Sequence, residues 1–373
     1  MKISFYVSDH GYGHATRSIA LARALAAAGN GGVSLEMVNH HAAGLLRRSL
    51  ATLDGVTVVD RKTDVGFVCR EDRLAFDKGR TALNVWSWIS GWKRFVAEEV
   101  ERLRDRPPDL VLTDVAPEPL LVAEKLGARS VVLSNFTWVD QYQDHLRPDM
   151  VAPIRGSYAL ASRGYAYAMR TALAGVRNIV GAGLVTREPR RARELVRRAL
   201  GIGPGERLVH FGLGWSADAA ALGAEIDAAG VPLGTRLLVS SNLAALVASA
   251  GAGGRLVAIP EDDTEAHESI AACDLVIAKA GYGTVSEAIA GRVPILAVPV
   301  EGSPESELIA GTIVRLGIGE RYDGDQPLDA GLFYQGARML DDSERYAEAY
   351  RRLPAEFAPG AADRLARTLL TEE

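Results

Sequence analysis

Two residues a hundred positions apart have the chemistry of an acid/base pair. His14 closes the run Ser8-Asp-His-Gly-Tyr-Gly-His14, which sits between the apolar stretch Ile3–Val7 and a helical pattern over Ala15–Ala28. The pattern predicts strand, glycine loop and helix, with His14 in the loop after Gly11 and Gly13. A histidine there has two readings. It takes a proton from a hydroxyl near neutral pH, or it is a polar contact at a helix start. Asp114 ends the apolar run Asp109–Thr113. It either orients an imidazole or begins an Asx-type turn before Pro117. His10 and His14 have metal-pair spacing for a helix, but the two glycines argue against helix there. H-E-x-x-H is absent, so no metal site is expected.

The second chemical stretch is Asp274–Val300, DLVIAKAGYGTVSEAIAGRVPILAVPV. It predicts a strand, a glycine loop at Gly281 and Gly283, a short helix stopped by Gly291, and a buried strand. Thr284-Val-Ser-Glu287 has capping-box spacing. Glu287 is then either the cap carboxylate or an acceptor for ribose hydroxyls, with phosphate on the amides of Gly283 and Thr284. Lys279 before the loop either meets a phosphate or is a strand-end charge. Asp323-Gly-Asp325 reads as a turn rather than a metal–diphosphate motif. There is no P-loop and no G-x-S-x-G elbow, and the N-terminal glycines do not complete a dinucleotide fingerprint.

The elements that must position these residues alternate strand and helix. After the first helix come Val33–Asn39, a helix through Leu45 and Leu50, and Val56–Asp60. Residues 61–80 read as a loop. Trp86–Leu103 is helical, with Trp88, Trp92, Phe95 and Val96 as core candidates. Leu120–Leu126 is a helix, Ser130–Leu133 a strand, and Asn135 and Trp138 follow it. Over 147–180, Arg163, Arg170 and Arg177 recur at heptad spacing among Tyr158, Tyr165, Tyr167 and Met169. That predicts a helical face. It is either solvated over packed aromatics or, through 155–177, in peripheral contact with a membrane surface.

A charged segment, 184–205, reads as a linker. A second series follows, with strands at Arg207–Phe211, Thr235–Val239 and Arg255–Ile259, Gly212-Leu-Gly214 after the first of these, a helix from about Ser216, a helix over Glu265–Ala272, and terminal helices in 343–373. The expected domains are 1–183, rejoined by 350–373, and 206–349. Ligands of parallel sheets bind beyond the carboxyl ends of the strands. His14, Asp114, Asn135 and Trp138 fall there in the first half. Gly212–Gly214, Ile259–Glu261, Gly281–Glu287 and Glu301–Glu307 do so in the second. Two facing sheets would place all of them along one cleft.

Composition bounds the partners. The chain has 373 residues, is 48% hydrophobic and carries a formal charge of −5. That suffices for two cores and implies no nucleic-acid surface. Cys69 and Cys273, the only 2 cysteines, fit a reducing cytosol rather than a disulfide scaffold. The first residues read as a strand, not a leader, and no run is long and apolar enough to span a bilayer.

The stretch ACDLVIAKAGYGTVSEAIAGRVPILAVP resembles the donor-binding segment of GT-B glycosyltransferases, in particular the branch of the bacterial peptidoglycan N-acetylglucosaminyltransferase. DHGYGHATR resembles the histidine-bearing glycine loop of that branch. DHGYGHATR, DVGFVCREDRLAFD, PDLVLTDVAPEP, SVVLSNFTW and KAGYGTVSEA also resemble, in order, the glycosyltransferase-like N-terminal segment of plant L-arabinokinases. No kinase half follows them, so a stand-alone version is expected.

The resemblance implies an α/β, GT-B fold of two doubly wound, Rossmann-like domains facing a cleft. It implies His14 as base beside Asp114, and Gly212, Gly214, Ile259, Lys279, Gly281, Gly283, Thr284 and Glu287 around the donor nucleotide. Gly11, Gly13, Asn135 and Trp138 would lie on the acceptor side. Where many such transferases carry an acidic residue followed by glutamine, this chain has Glu301-Gly-Ser-Pro-Glu305-Ser-Glu307, leaving Glu301, Glu305 and Glu307 as donor-sugar candidates.

The implied activity is inverting, metal-independent transfer from a nucleotide-diphosphate sugar, a UDP-sugar as co-substrate without further cofactor, to a small-molecule, glycan or lipid-linked hydroxyl. The expected location is the cytoplasm or the inner membrane face. The alternatives on the same fold are a non-catalytic nucleotide-sugar-binding module and a sugar-nucleotide epimerase or hydrolase.

Overall fold

The computed structural model describes residues 1–70, 73–213, 234–241, 243–245, 255–324 and 330–372. The chain divides into two compact units. Unit 1 comprises Met1–Val68, Phe76–Arg187 and Ala355–Glu373, and unit 2 comprises Cys69–Ala75 and Glu188–Pro354.

Unit 1 runs β1 (Lys2–Val7), α1 (Tyr12–Gly29), β2 (Ser34–Val38), α2 (Ala43–Leu50), β3 (Val56–Val59), α3 (Lys78–Leu103), β4 (Leu110–Asp114), α4 (Glu118–Leu126), β5 (Arg129–Ser134), α5 (Trp138–Tyr142), α6 (Pro148–Tyr158), β6 (Arg163–Tyr167) and β7 (Ile179–Gly183). The strands form a parallel sheet in the order β3-β2-β1-β4-β5-β6-β7. Both faces are covered by helices, so β4 and β5 are buried almost throughout and read as continuous apolar runs. The strand order reverses between β1 and β4, where Val7 pairs in register with Asp114. That reversal is the switch point at which such sheets open a site beyond their strand ends.

Unit 2 repeats the arrangement. Its elements are α7 (Arg193–Ala199), β8 (Arg207–Gly212), β9 (Thr235–Ser240), β10 (Leu256–Ile259), α8 (Ala266–Ala271), β11 (Leu275–Lys279), α9 (Tyr282–Ala290), β12 (Ile295–Val298), α10 (Pro304–Leu316), β13 (Gly319–Arg321), α11 (Ala330–Asp341) and α12 (Ser343–Arg351). The sheet, again parallel, has the order β10-β9-β8-β11-β12-β13. Here the switch point lies between β8 and β11, with Gly212 opposite Ala278. Within this unit Ala75 bridges Glu301, and Leu74 joins the apolar core. The final helix, α13 (Ala361–Thr371), belongs to unit 1, where Arg129 donates to the carbonyl of Leu369 and Arg163 pairs with Glu372.

Several expectations change. Helix α1 begins at Tyr12, not Ala15, so Gly13 and His14 lie in its first turn. Gly11, at φ +74, makes the sharp entry that a side chain would strain. Helix α3 begins eight residues before Trp86, at Lys78, because the Asp77 carboxylate accepts from the Arg80 N–H and caps it. Of its four core candidates, Trp92 is buried, whereas Trp88 and Phe95 are partly buried.

The heptad arginines do not share a helix. Tyr158 ends α6, Arg163 opens β6, and Arg170 and Arg177 lie in the connection to β7. The aromatic residues among them are strand and core residues, with Tyr165 and Tyr167 buried in β6. This removes the helical basic face on which the membrane contact through 155–177 rested. No described helix is long and apolar enough to cross a membrane. The segment expected as a linker contains α7, which unit 2 holds through Arg197 donating to the carbonyls of Ala272 and Glu206. The helix expected from Ser216 lies outside the described residues, as do Gly214 and Asp325.

Edge strand β13 tests this packing. A Cβ on Gly319 would lie 2.0 Å from the Ile295 carbonyl oxygen and 2.8 Å from Ile313 Cγ2. Gly319→Ala is expected to cost about 1–3 kcal/mol, the usual penalty for overpacking, in urea unfolding. A loss below about 0.5 kcal/mol, the range of ordinary surface changes, would mean that β13 does not pack as described.

Candidate functional site

At the switch point of unit 1, α1 and β4 bring His14 and Asp114 together. His14 Nδ1 lies 2.9 Å from Asp114 Oδ1, and both side chains are buried. Arg17, one turn further along α1, is the residue that sequence reasoning missed. It grips Asp114 with both arms: Nε donates to Oδ2 at 2.6 Å and Nη2 donates to Oδ1. Its Nη1 donates to Asn135 Oδ1 at 2.7 Å, and Nη2 also donates to Ser134 Oγ at 3.2 Å. Ser18 Oγ adds a fourth donor to Asp114 at 3.2 Å. The signal was latent in the helix start. With α1 beginning at Tyr12, residues 14, 17 and 18 fall on one face at i, i+3 and i+4.

The acceptor-only carboxylate decides the imidazole tautomer. Arg17 Nη2 also lies 2.8 Å from His14 Nδ1. An ionised Asp114 can only accept, so its 2.9 Å contact with Nδ1 is a hydrogen bond only when Nδ1 carries a proton. That proton points at Asp114, and in the neutral imidazole the lone pair is then on Nε2. Nε2 makes no hydrogen bond among the described residues. Burial alone would push the Asp114 carboxyl up, but the guanidinium of Arg17 and the donors around it hold it below the usual carboxylate range.

Asn135 is thus a buried partner of Arg17, reached through its side-chain oxygen. Trp138 is fully buried. Its Nε1 donates at 2.6 Å to Asp64 Oδ2, while Asp64 Oδ1 accepts from the Ser8 hydroxyl and the Asp9 N–H. Asp64 has the opposite electrostatic fate to Asp114. Burial raises its pKa to about 6 against the opposing influence of His14 and its hydrogen bonds.

In unit 2, β11 ends at Lys279 and α9 starts after its N-cap, Gly281. The capping-box expectation at Thr284 fails. The helix opens three residues earlier than that box requires, and no side chain caps it. The first i→i+4 bond runs from the Val285 N–H to the Gly281 carbonyl. The amides of Gly283 and Thr284 therefore belong to the open first turn, at the positive end of the helix. Glu287 lies further in and is buried. Gly291 stops the helix without a left-handed φ. Its role is steric, since a Cβ there would lie 2.8 Å from Ala271. Gly212 ends β8 and pairs with Ala278 beside this loop, and Ile259 ends β10.

The acidic run has local partners. Glu301 pairs with Arg73 at 3.2 Å, and Glu307 pairs with Arg321. Ser303 caps α10, with Pro304 at its start, so Glu305 and Glu307 sit in the first turn, where the helix dipole favours acids. Asp323 pairs with Arg321. Among the described residues no group of three or more histidine, cysteine, aspartate or glutamate side chains is placed to hold a metal ion.

No family model matches the chain. It is 27% identical over 313 residues to an L-arabinokinase of Arabidopsis thaliana, an alignment covering 79% of this chain and 28% of that protein. The chain therefore spans little more than a quarter of that relative's length. Among solved structures, a UDP-glucosyltransferase from Polygonum tinctorium superposes with a TM-score of 0.66 at 13% identity, covering 99% of this chain and 97% of that one. The glycosyltransferase VinC, in complex with dTDP, gives 0.65 at 18% identity, with 99% of each chain covered. The two parallel-sheet α/β units thus have the fold of the GT-B glycosyltransferases.

The Arg17–Asp114 pair yields a stability test. Arg17→Met would strand a buried carboxylate, which typically costs about 3–5 kcal/mol. In the wild type, the depressed Asp114 pKa gives stability that is present above the ordinary carboxylate value and lost as pH falls through the folded value. Without Arg17, burial dominates and raises the folded carboxyl above its ordinary value, so the sign reverses: the variant should gain stability from Asp114 as pH falls through that raised value. Denaturant unfolding from about pH 3 to 7, spanning the carboxylate range, reads both effects. Parallel pH curves for the two proteins would show that Arg17 does not hold Asp114 ionised.

Proposed function

We propose that the chain is a nucleotide-sugar-dependent glycosyltransferase that works by a single inverting displacement, without a divalent metal. The observation that carries this reading is His14, whose Nδ1 faces the Asp114 carboxylate at 2.9 Å and whose Nε2 makes no hydrogen bond among the described residues. In the proposed reaction Nε2 takes the proton of an acceptor hydroxyl. The hydroxyl oxygen bonds to the anomeric carbon, the bond from that carbon to the phosphate breaks, and a nucleoside diphosphate leaves. Asp114, kept ionised by Arg17, faces the imidazolium that forms.

Unit 2 would hold the donor. The amides of Gly283 and Thr284 suit the phosphates, because they stabilise the leaving charge without a metal. Glu287 would take the ribose hydroxyls, with Gly212, Gly214, Ile259, Lys279 and Gly281 around the nucleotide. Solved structures of this fold include a UDP-glucosyltransferase and a glycosyltransferase in complex with dTDP, and a UDP-sugar is the donor proposed here. Glu301, Glu305 and Glu307 remain the donor-sugar candidates.

A second reading, a nucleotide-sugar-binding module without turnover, is favoured by one observation. Glu301 and Glu307 are already engaged by Arg73 and Arg321. Incubation with a panel of nucleotide sugars and hydroxyl acceptors separates the two, since only the transferase produces a glycoside.

His14→Ala should lower turnover by about 10²–10⁴-fold, the usual contribution of a general base, and leave nucleotide affinity unchanged. A variant that turns over within about threefold of wild type, far inside that loss, would remove His14 from the base role. Glu287→Gln presents one acceptor where the carboxylate presents two. It should weaken nucleotide binding by about tenfold or more, as expected for hydrogen bonds worth ~1.5–3 kcal/mol each. Calorimetric titration with UDP reads this directly, and equal affinities would leave Glu287 with a packing role alone.

A further inference from the structure

The stretch DVGFVCREDRLAFD begins with Asp64-Val65-Gly66-Phe67, to which the proposed chemistry gives no role. In unit 1 this segment lies against Ser8, Asp9 and His10, which lead from β1 into the first turn of α1, where His14 sits. It meets them in three ways. Asp64 Oδ1 accepts from the Ser8 hydroxyl at 2.8 Å and from the Asp9 N–H at 2.9 Å. The Phe67 ring lies against the His10 imidazole, with centroids 4.7 Å apart. Gly66, at φ +59, passes so close to His10 that a Cβ there would lie 2.1 Å from the imidazole Nδ1.

The other oxygen of Asp64 reaches α5, where Oδ2 accepts from Trp138 Nε1 at 2.6 Å. The Trp138 ring meets Phe136 edge to face at 5.1 Å, and Phe136 meets the His14 ring in the same manner at 5.7 Å. The contacts thus close a ring. It runs from Asp64 through Ser8 and Asp9 along the chain to His14, and back through Phe136 and Trp138. Helix α1 needs such a hold. Gly11 at its entry has a positive φ, and no side chain caps its first turn. The loop is therefore fixed from outside the helix.

The position calls for a carboxylate. Asp64 is fully buried and receives three donors from two segments. Only a side chain that accepts at both of its ends can take all three. An asparagine there would turn its amide N–H groups toward either the Trp138 indole N–H or the Asp9 N–H. We propose that segment 64–67 is a bracket that sets where His14 stands, with Asp64 as a positioning residue for the proton transfer. This rests on the reading of His14 as the base, and it gives Asp64 no contact with substrate. Asp64 acts through the loop on one side and through Trp138 and Phe136 on the other.

Asp64→Asn in the full chain tests this. It should lower kcat about 10²-fold, the cost of a misplacement on the order of 1 Å, and leave the affinity for UDP unchanged. Ser8→Ala removes one hydrogen bond of the bracket and should act in the same direction. Melting temperatures identify a variant that does not fold, and Ser8→Ala carries the test where Asp64→Asn fails to. Tyr6→Phe loses a buried hydrogen bond to Glu99 outside the ring. It is the control for stability alone and should keep full turnover. Nitrogen-15 spectra of the His14 imidazole, recorded without substrate, supply a readout that needs no turnover. The folded bracket variants should move weight from the Nδ1–H to the Nε2–H tautomer, and Tyr6→Phe should not. A wild type that makes no glycoside would remove the transferase reading, and the imidazole spectra would still test the bracket. Turnover within about threefold of wild type in the folded bracket variants, far inside the expected loss, would overturn the proposal. So would an equal loss in Tyr6→Phe, or a tautomer ratio that none of the bracket variants changes.

Discussion

The buried Asp114 carboxylate is the interaction on which the unit 1 site depends. It sits at the end of β4, beside β1, where the strand order reverses. Taking a carboxylate out of water is expensive unless it is paired and hydrogen-bonded. Asp114 meets that demand with Arg17, Ser18 and His14, all from the first two turns of α1. The same contacts that make its burial tolerable also set the orientation and tautomer of His14. Structure and chemistry are therefore one constraint here. The charge of Arg17 neutralises Asp114 and keeps it ionised, an acceptor for the Nδ1 proton of His14.

A comparison of the buried acids in unit 1 makes the point sharper. Asp114, Asp64 and Glu118 are all removed from solvent, yet their carboxyls move in different directions. Desolvation raises each of them. Only Asp114 has a guanidinium against both oxygens, and that reverses the sign. Asp64 has neutral donors and is raised moderately, whereas Glu118 has one long indole contact and is raised furthest. Burial sets the cost of the charge, and the partners decide whether it is met.

Much of the fold was legible in the chain. Parallel strands buried on both faces read as short apolar runs, which located β4, and the run–glycine–helix grammar located β1, β8 and β11 and the helices that follow β1 and β11. The segment 147–180 was misread for a physical reason. The spacing of Arg163, Arg170 and Arg177 suits a helix, but periodicity carries no information about what lies on the other side of a residue. Ser130–Ser134 provides a pairing edge, and β6 forms on it with Tyr165 and Tyr167 buried. The Thr284–Glu287 pattern failed for a similar reason. A capping box is local, and the end of β11, set by its pairing with β12, starts α9 earlier.

The sequence by itself determined which residue types stand after which strands: a histidine after the first, an aspartate at the end of the fourth, and a glycine loop opening a helix in the second half. Those follow from local pattern, because strand ends and helix starts are written in neighbouring residues. Only the tertiary structure decided which of them meet. Arg17 acquires its role because α1 starts at Tyr12 and turns it toward a carboxylate 97 positions away. Trp138 proves to be a buried donor to Asp64, and Glu118 comes to lie beside Trp88. Strand order, register and the depth of burial fix these contacts and the charge states that depend on them. Each is a property of distances between segments remote in the chain, which no local spacing records.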